Sequence, residues 1–312
     1  MMELDLPIGV YRFDFATDSA LAGQHWRTFS GSDWRSQIGR VLYQSCCVQP
    51  PGTDCWTCEH LSSCDYGSLF RTPRPPHASR KRTAAGISGP FAIYSGGFQQ
   101  GRICLEIALF GTGNGLLGPI VSALVSLGYH GLELRHMRAE LELLGVSQLD
   151  WERGQYVSIL TVDGLEPLAP LSPPVPESPG SVRVELQSPY QIDKTNNDPR
   201  RFTLHRFVTH LVNRIEDLRD FYHPLGEASL ERERLAKAAP VEISRRNLSR
   251  YRRSRYSRTL RGRVPLDGVT GWFDVSGPGL KTLWPYLCLG QWTQIGRKTS
   301  HGFGAYRLAP PD

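Results

Sequence analysis

Between residues 10 and 15 hydrophobic and polar side chains alternate, which predicts a strand. Trp34, Ile38, Val41 and Leu42 then recur at helical spacing, which predicts a helix over 34–43. Residues 91–94 and 103–110 read as two further strands, 116–127 as an apolar helix and 132–144 as an alternating strand. Strand, helix, strand, strand, helix, strand is the order of a ferredoxin-like sheet.

The second half repeats this plan. Residues 182–186, 269–275 and 305–308 have strand character, and 280–289 is helical in pattern in spite of Pro285. Phe207, Leu211, Ile215 and Leu218 stripe one face of a helix over 202–222; such a stripe is core and needs no cofactor. The expected class is α+β, two tandem ferredoxin-like (RRM-like) domains ending in a glycine-rich loop. Residues 163–180 hold six prolines, which remove amide donors and favour extended chain, so this stretch reads as a linker. The first domain is then 1–162, with a cysteine-rich insertion at 46–64. The second is 181–312, with an arginine-rich segment at 245–263 and a glycine-rich loop at 290–304.

Charge adds a direction to this plan. The 312-residue chain carries a formal net charge of +6, and residues 181–312 hold 23 of its 36 Lys+Arg but only 13 of its 30 Asp+Glu. The basic surplus therefore belongs to the second half. All but five of the cations are arginine, whose planar fork suits bidentate phosphate contact. The longest nearly apolar run, 116–127, falls short of the roughly 20 residues a membrane helix needs, and the acidic start is unlike a signal peptide. A cytoplasmic protein is expected, and in a reducing compartment clustered cysteines point to a metal before a disulfide.

Three local signals carry chemistry. The segment 245–263 holds nine arginines with Tyr251 and Tyr256 and no acid. Like-charge blocks are often solvated and unstructured, but interleaved aromatics, Leu248 and Leu260 supply packing points and suit stacking on bases. Arg250, Arg252, Arg253, Arg255 and Arg258 are its expected nucleic-acid contacts. In the closing loop, Arg297 precedes Lys298 and so breaks the Walker A pattern, and Gly302 and Gly304 lack the third glycine of a dinucleotide fingerprint. Gly296, Gly302 and Gly304 can bring backbone amides to a phosphate beside Arg297, Lys298 and His301, or can simply turn a helix into a strand. The third signal is five thiols within 46–64. Cys55-x-x-Cys58 has zinc-knuckle spacing, and Cys47, Cys55, Cys58 and Cys64 form the expected tetrahedral set for a structural zinc, with idle thiols the alternative.

Taken together, LGQWTQIGRKTSHGFGAYRL at the end, RYSRTLRGRVPLDGVTGWF before it and GSDWRSQIGRVLYQSCCVQPPGTDCWTCEHLSSCDYGSLF near the start resemble the CRISPR precursor-RNA processing endoribonucleases. These endoribonucleases belong to the RAMP superfamily, and the similarity is to their larger, cysteine-bearing branch. LFGTGNGLLGPIVSALVSLGYHGLELRHMRAELELLGV and FVTHLVNRIEDLRDFYHP share it, so it covers most of the chain. The resemblance implies binding of a CRISPR repeat hairpin in precursor and mature guide RNA, and cutting on its 3′ side with no catalytic metal. Subunits of an effector complex are implied as further partners.

In metal-free RNA cleavage the ribose 2′-oxygen attacks the adjacent phosphorus. One group takes its proton, another protonates the 5′-oxygen, and cations or amides steady the charged phosphorane. The resemblance places Arg35 on the arginine that some members use at the start of their first helix. The family's histidine lies about one helix further on, and residues 41–52 contain none. His25, just before the helix, is therefore expected to take the proton role, with His60, Arg27 and Tyr43 as other candidates. His301 stands where relatives often carry an aromatic, which implies stacking on RNA. The basic stretch 71–82 reads either as a clamp on the hairpin flank or as unstructured chain. Two other readings compete: a non-catalytic RAMP subunit that only holds guide RNA, suggested by the missing histidine, and a zinc-bearing DNA-binding regulator.

Overall fold

A computed structural model of the chain describes residues 4–17, 31–50, 52–79, 88–99, 101–134, 137–193, 196–223, 240–257 and 262–311. His25, Arg27 and Arg258 lie outside the described residues. The chain forms two compact units that divide between Pro173 and Pro174, with Asp217–Gly226 grouped with the first.

In the first unit, alternation puts Tyr11, Phe13 and Phe15 of β1 (Ile8–Ala16) into the core and leaves Arg12 and Asp14 on the opposite face. Then follow α1 (Gly31–Cys46), α2 (Asp65–Phe70), β2 (Phe91–Gln99), β3 (Arg102–Phe110) and α3 (Leu117–His130). After them come β4 (Leu132–Leu134), β5 (Met137–Ala139), β6 (Glu142–Asp150), β7 (Gln155–Ser158), β8 (Leu160–Thr161) and β9 (Gly164–Leu165). The main sheet has the order β2-β3-β1-β6-β7 and is antiparallel throughout; Tyr11 lies between Ile107 of β3 and Gln148 of β6. Trp34 of α1 is fully buried, its ring stacked on Phe15 with centroids 5.5 Å apart. On α3, Ile120, Leu124 and Leu127 recur at helical spacing and close the same core.

One expected strand is corrected here. The alternating stretch 132–144 is not the fourth strand of the sheet: Leu132 pairs with Ala139 in a separate β4–β5 hairpin, and the sheet strand is β6. Leu132 and Ala139 are both buried, so folding back on itself satisfies the apolar half of the pattern without entering the sheet.

The second unit comprises β10 (Ser181–Tyr190), α4 (Leu204–Tyr222), β11 (Glu242–Tyr251), β12 (Ser254–Ser257), β13 (Gly262–Pro265), β14 (Gly268–Ser276), α5 (Leu280–Thr293) and β15 (Tyr306–Ala309). The last turns of α4 are those that group with the first unit. Its sheet order, β11-β14-β10-β15, matches that of the first four strands of the other unit, and both units are ferredoxin-like. Val184, Phe207, Leu211, Ile215, Phe273 and Leu287 are fully buried. Pro285 sits inside α5, where its ring costs one backbone bond while buried neighbours Trp284, Tyr286 and Leu287 hold the helix in place. The described part of the arginine-rich segment is regular: among the described strands β11 is an edge paired with β14 alone, and β12, which carries Arg255, forms a hairpin with β13. Among the described residues no helix is long and apolar enough to cross a membrane.

Trp34→Ala, which removes the largest side chain fully buried in this core, is expected to lower the unfolding free energy of the first unit by about 3–5 kcal/mol in urea denaturation. A loss below about 1 kcal/mol would show that α1 is not anchored through this ring.

Candidate functional site

In the first unit the features gather on α1. Trp34, Ile38, Val41 and Leu42 point into the core, which turns Arg35 toward α2 on the partly exposed side of the helix. The Arg35 guanidinium carbon lies 4.9 Å from the centroid of Phe70, the last residue of α2. Phe70 in turn meets Tyr66 at 5.3 Å and Phe91 at 5.5 Å. Two turns beyond Arg35, Tyr43 meets the edge of Tyr66 at 5.2 Å. An aromatic wall on α2 thus backs both Arg35 and Tyr43, and a guanidinium attracted to a ring face is positioned without giving up its charge to an acid in that contact. A hydrogen bond with Cys47 raises the Tyr43 phenol above its ordinary pKa.

The thiols cluster between the end of α1 and the start of α2. Helix α1 runs to Cys46, so this residue reaches α2, and its Sγ lies 3.5 Å from Sγ of Cys64, the residue that precedes α2. Burial, before the neighbouring thiol, pushes Cys46 up to about 11. Cys47 lies past the helix end and engages Tyr43 instead. Cys55 starts a short 3₁₀ turn capped by Asp54, and Cys58 closes it through its amide. Among the described residues no group of three or more His, Cys, Asp or Glu side chains is placed to hold a metal ion. Burial, and after it the charges of Cys47, Cys58 and Cys64 within electrostatic reach, raise the Cys55 thiol; the thiol in contact with Cys64 is Cys46. His60 is half exposed beside Glu59, at 3.5 Å.

The second unit supplies the basic surface. On β11, Arg245, Arg246 and Arg250 are exposed, Arg252 follows exposed and Arg253 half-buried. Such a row of cations needs an anchor, and it is Asp274 of β14, 1 % exposed. Asp274 accepts hydrogen bonds from Nε and Nη2 of Arg183 at 2.8 and 3.2 Å and from Nε of Arg245 at 3.1 Å. Register explains the meeting, because Arg183 and Arg245 both pair with Asp274 across the sheet. Arg183 also lies 3.9 Å over the ring of Trp272. The bonds from Arg183, more than any other influence, hold the Asp274 carboxyl below the usual carboxylate range. Arg246 donates to the Phe202 carbonyl at 3.3 Å.

The glycine-rich loop, 290–304, joins α5 to β15. Its turn passes through left-handed backbone at Gly296 (φ 79°), Lys298 (φ 63°), Gly302 (φ 81°) and Gly304 (φ 77°). The amide of Gly302 donates to Thr299 and that of Gly304 to Pro189, at 2.9 Å each, so these glycines shape the turn and their N–H groups are engaged within the protein. A side chain at Gly304 would overlap the carbonyl of Ile295, and the Ile295 amide donates to the Gly304 carbonyl at 3.0 Å, so the two backbones lie directly against each other. Lys298 donates from Nζ to the Pro265 carbonyl at 2.7 Å. Arg297 is exposed at the apex, and His301 is half-buried one turn later.

The sequence missed Phe70 and Tyr66, whose role depends on α2 folding back along α1. It also missed Arg183 and Asp274, which meet only across strands; an isolated acid in the strand 269–275, within an otherwise basic half, was the available signal.

Residues 6–165 match a family model described as an N-terminal domain, and residues 184–306 match the model for the CRISPR-associated endoribonuclease Cas6. Among solved structures, a Cas6 (TTHB231) product complex is 15% identical, with a TM-score of 0.56 over 97% of this chain and 99% of that one. A second, a Cas6 (TTHA0078) product complex, is also 15% identical, with a TM-score of 0.49 over 98% of this chain and 100% of that one. No curated protein sequence matches.

Asp274→Ala is expected to cost about 3–5 kcal/mol, since it leaves buried Arg183 without its partner. Because the folded carboxyl has the lower pKa, its contribution is complete above the unfolded value near 3.8 and disappears as pH falls through the folded one. Urea denaturation as a function of pH should show this acid-side loss in the wild type and a smaller one in Asp274→Asn.

Proposed function

We propose, from the premise that this chain belongs to the CRISPR-associated endoribonuclease Cas6 family and processes CRISPR RNA, that it binds the hairpin of a CRISPR repeat and cuts it by 2′-oxygen attack without a metal. The observation that carries this reading is the match of residues 184–306 to the Cas6 endoribonuclease model, on a unit whose edge strand exposes an arginine row. That row neutralises phosphates of the stem, and Arg297 extends it from the glycine loop.

Cleavage belongs to the first unit in this reading. Arg35, set on Phe70, faces the non-bridging oxygens as charge develops on them, and His25 before α1 takes the 2′ proton. Tyr43 stands against the same α2 aromatic wall as Arg35 and is a second candidate to donate a proton to the leaving oxygen. The cut product stays on the basic strand and enters an effector complex with the protein.

Arg35→Ala is expected to slow single-turnover cleavage of a repeat RNA by about 10²–10³-fold while Kd changes by less than about threefold, since the charge is needed mainly in the transition state. Equal losses in rate and affinity would assign Arg35 to binding. Cleavage should proceed unchanged in EDTA; inhibition there would refute the metal-free mechanism. Replacing Arg250, Arg252 and Arg253 together by Ala should weaken binding and lower the slope of log K against log[salt] by about 2–3, one for each phosphate that is no longer neutralised. An unaltered slope would take β11 off the RNA.

A further inference from the structure

His210 lies on α4, three residues after Phe207 of the core stripe. Its Nδ1 is 2.7 Å from the Tyr190 hydroxyl at the end of β10, and the two rings meet edge to face with centroids 5.8 Å apart. Tyr190 is itself fully buried, packed against Phe207 at 5.6 Å and Phe202 at 6.3 Å, so it holds the imidazole in one orientation.

The glycine loop closes against this pair. A Cβ at Gly296 would stand 2.7 Å from Cε2 of Tyr190, so the bare residue lets the loop backbone rest on the Tyr190 ring. Arg297 follows directly, exposed, and is near enough for its charge to act on His210. The charges of Arg206, one turn earlier on α4, and of Asp193, just beyond β10, act on the imidazole as well. Asp193 pairs with Arg206 at 3.6 Å and offsets one of the two cations. With Tyr190, these are the titratable and charged groups that surround His210 among the described residues, and they leave a positive surplus around a half-buried imidazole. Burial, then Arg206 and Arg297, lowers its pKa below the ordinary value, so the group is mostly neutral near pH 7 before an anion arrives.

We propose that His210, together with Arg206 and Arg297, forms a subsite for one backbone phosphate of the bound RNA, with Tyr190 orienting the imidazole. This rests on the RNA-binding reading and adds to it a proton link. A phosphate between the two arginines offsets their repulsion of the imidazolium and accepts its hydrogen bond, so binding draws a proton onto Nε2 or Nδ1. Binding is then tightest on the acid side, where that proton is already present, and weakens as pH rises through the bound-state pKa.

The test uses the full chain and a labelled stem-loop CRISPR-repeat RNA, with fluorescence anisotropy at constant ionic strength from about pH 5.5 to 8. The wild-type Kd is expected to rise about five- to tenfold across this range, as a shift of nearly one pKa unit requires. His210→Gln, which keeps an acceptor for the Tyr190 hydroxyl, should bind with the wild type's alkaline affinity and lose this pH dependence. If His210→Gln fails to fold, imidazole proton resonances of the wild type decide: the one displaced by Tyr190→Phe should titrate higher with RNA than without. A wild-type Kd that does not vary with pH, a slope that survives in His210→Gln, or an imidazole pKa unmoved by RNA overturns the subsite and leaves the proposed function standing. Absence of RNA binding at every pH overturns the proposed function and the subsite together.

Discussion

Both units depend on the two-residue period of a sheet covered by helices on one face. Once Tyr11, Phe13 and Phe15 of β1, or Val182, Val184 and Leu186 of β10, are buried under their helices, the residues between them must stand on the other side. That constraint sends Arg12 to one open face and Arg183 to the other. On the first, Arg12 bonds Glu106 at 2.6 Å and lies 3.8 Å over Tyr156, whose hydroxyl also donates to Glu106. On the second, Arg183, Trp272, Asp274 and Arg245 form the corresponding layer. Polar networks therefore cover both open faces because the cores beneath them are apolar.

The second network answers a problem that the chain's own charge creates. Cations repel along a strand, and β11 carries Arg245, Arg246 and Arg250 at the edge of its sheet. Asp274 binds one of them and Arg183 together, and the Phe202 carbonyl takes another. A buried carboxylate with two arginine partners keeps its charge, and its hydrogen bonds fix the strand that presents the others. In the first unit Arg35 rests on an aromatic face, that of Phe70.

The glycine loop shows close packing placing charge. Lys298 accepts a left-handed backbone that a side chain seldom adopts, and Gly296 and Gly304 let the loop lie directly on Tyr190 and on Ile295. The outcome is an exposed Arg297 directly after the glycine that packs on Tyr190, the ring bonded to His210.

Periodicity in the sequence was enough to give the two ferredoxin-like units, since burying one face of a strand or helix leaves a pattern that local residues carry. The same rule misassigned 132–144, because a hairpin that buries Leu132 and Ala139 produces the alternation of a sheet strand. Composition located the basic half and the arginine-rich segment, but the ordering of its first part into β11 needed Asp274, a partner 29 residues beyond Arg245. Thiol spacing favoured Cys47 over Cys46; the length of α1 decided which of them reaches Cys64. The family resemblance singled out Arg35, whereas nothing singled out Phe70 behind it or His210 beside Tyr190. Contacts of that kind join residues distant along the chain, and only the way helices and strands pack sets which of them meet.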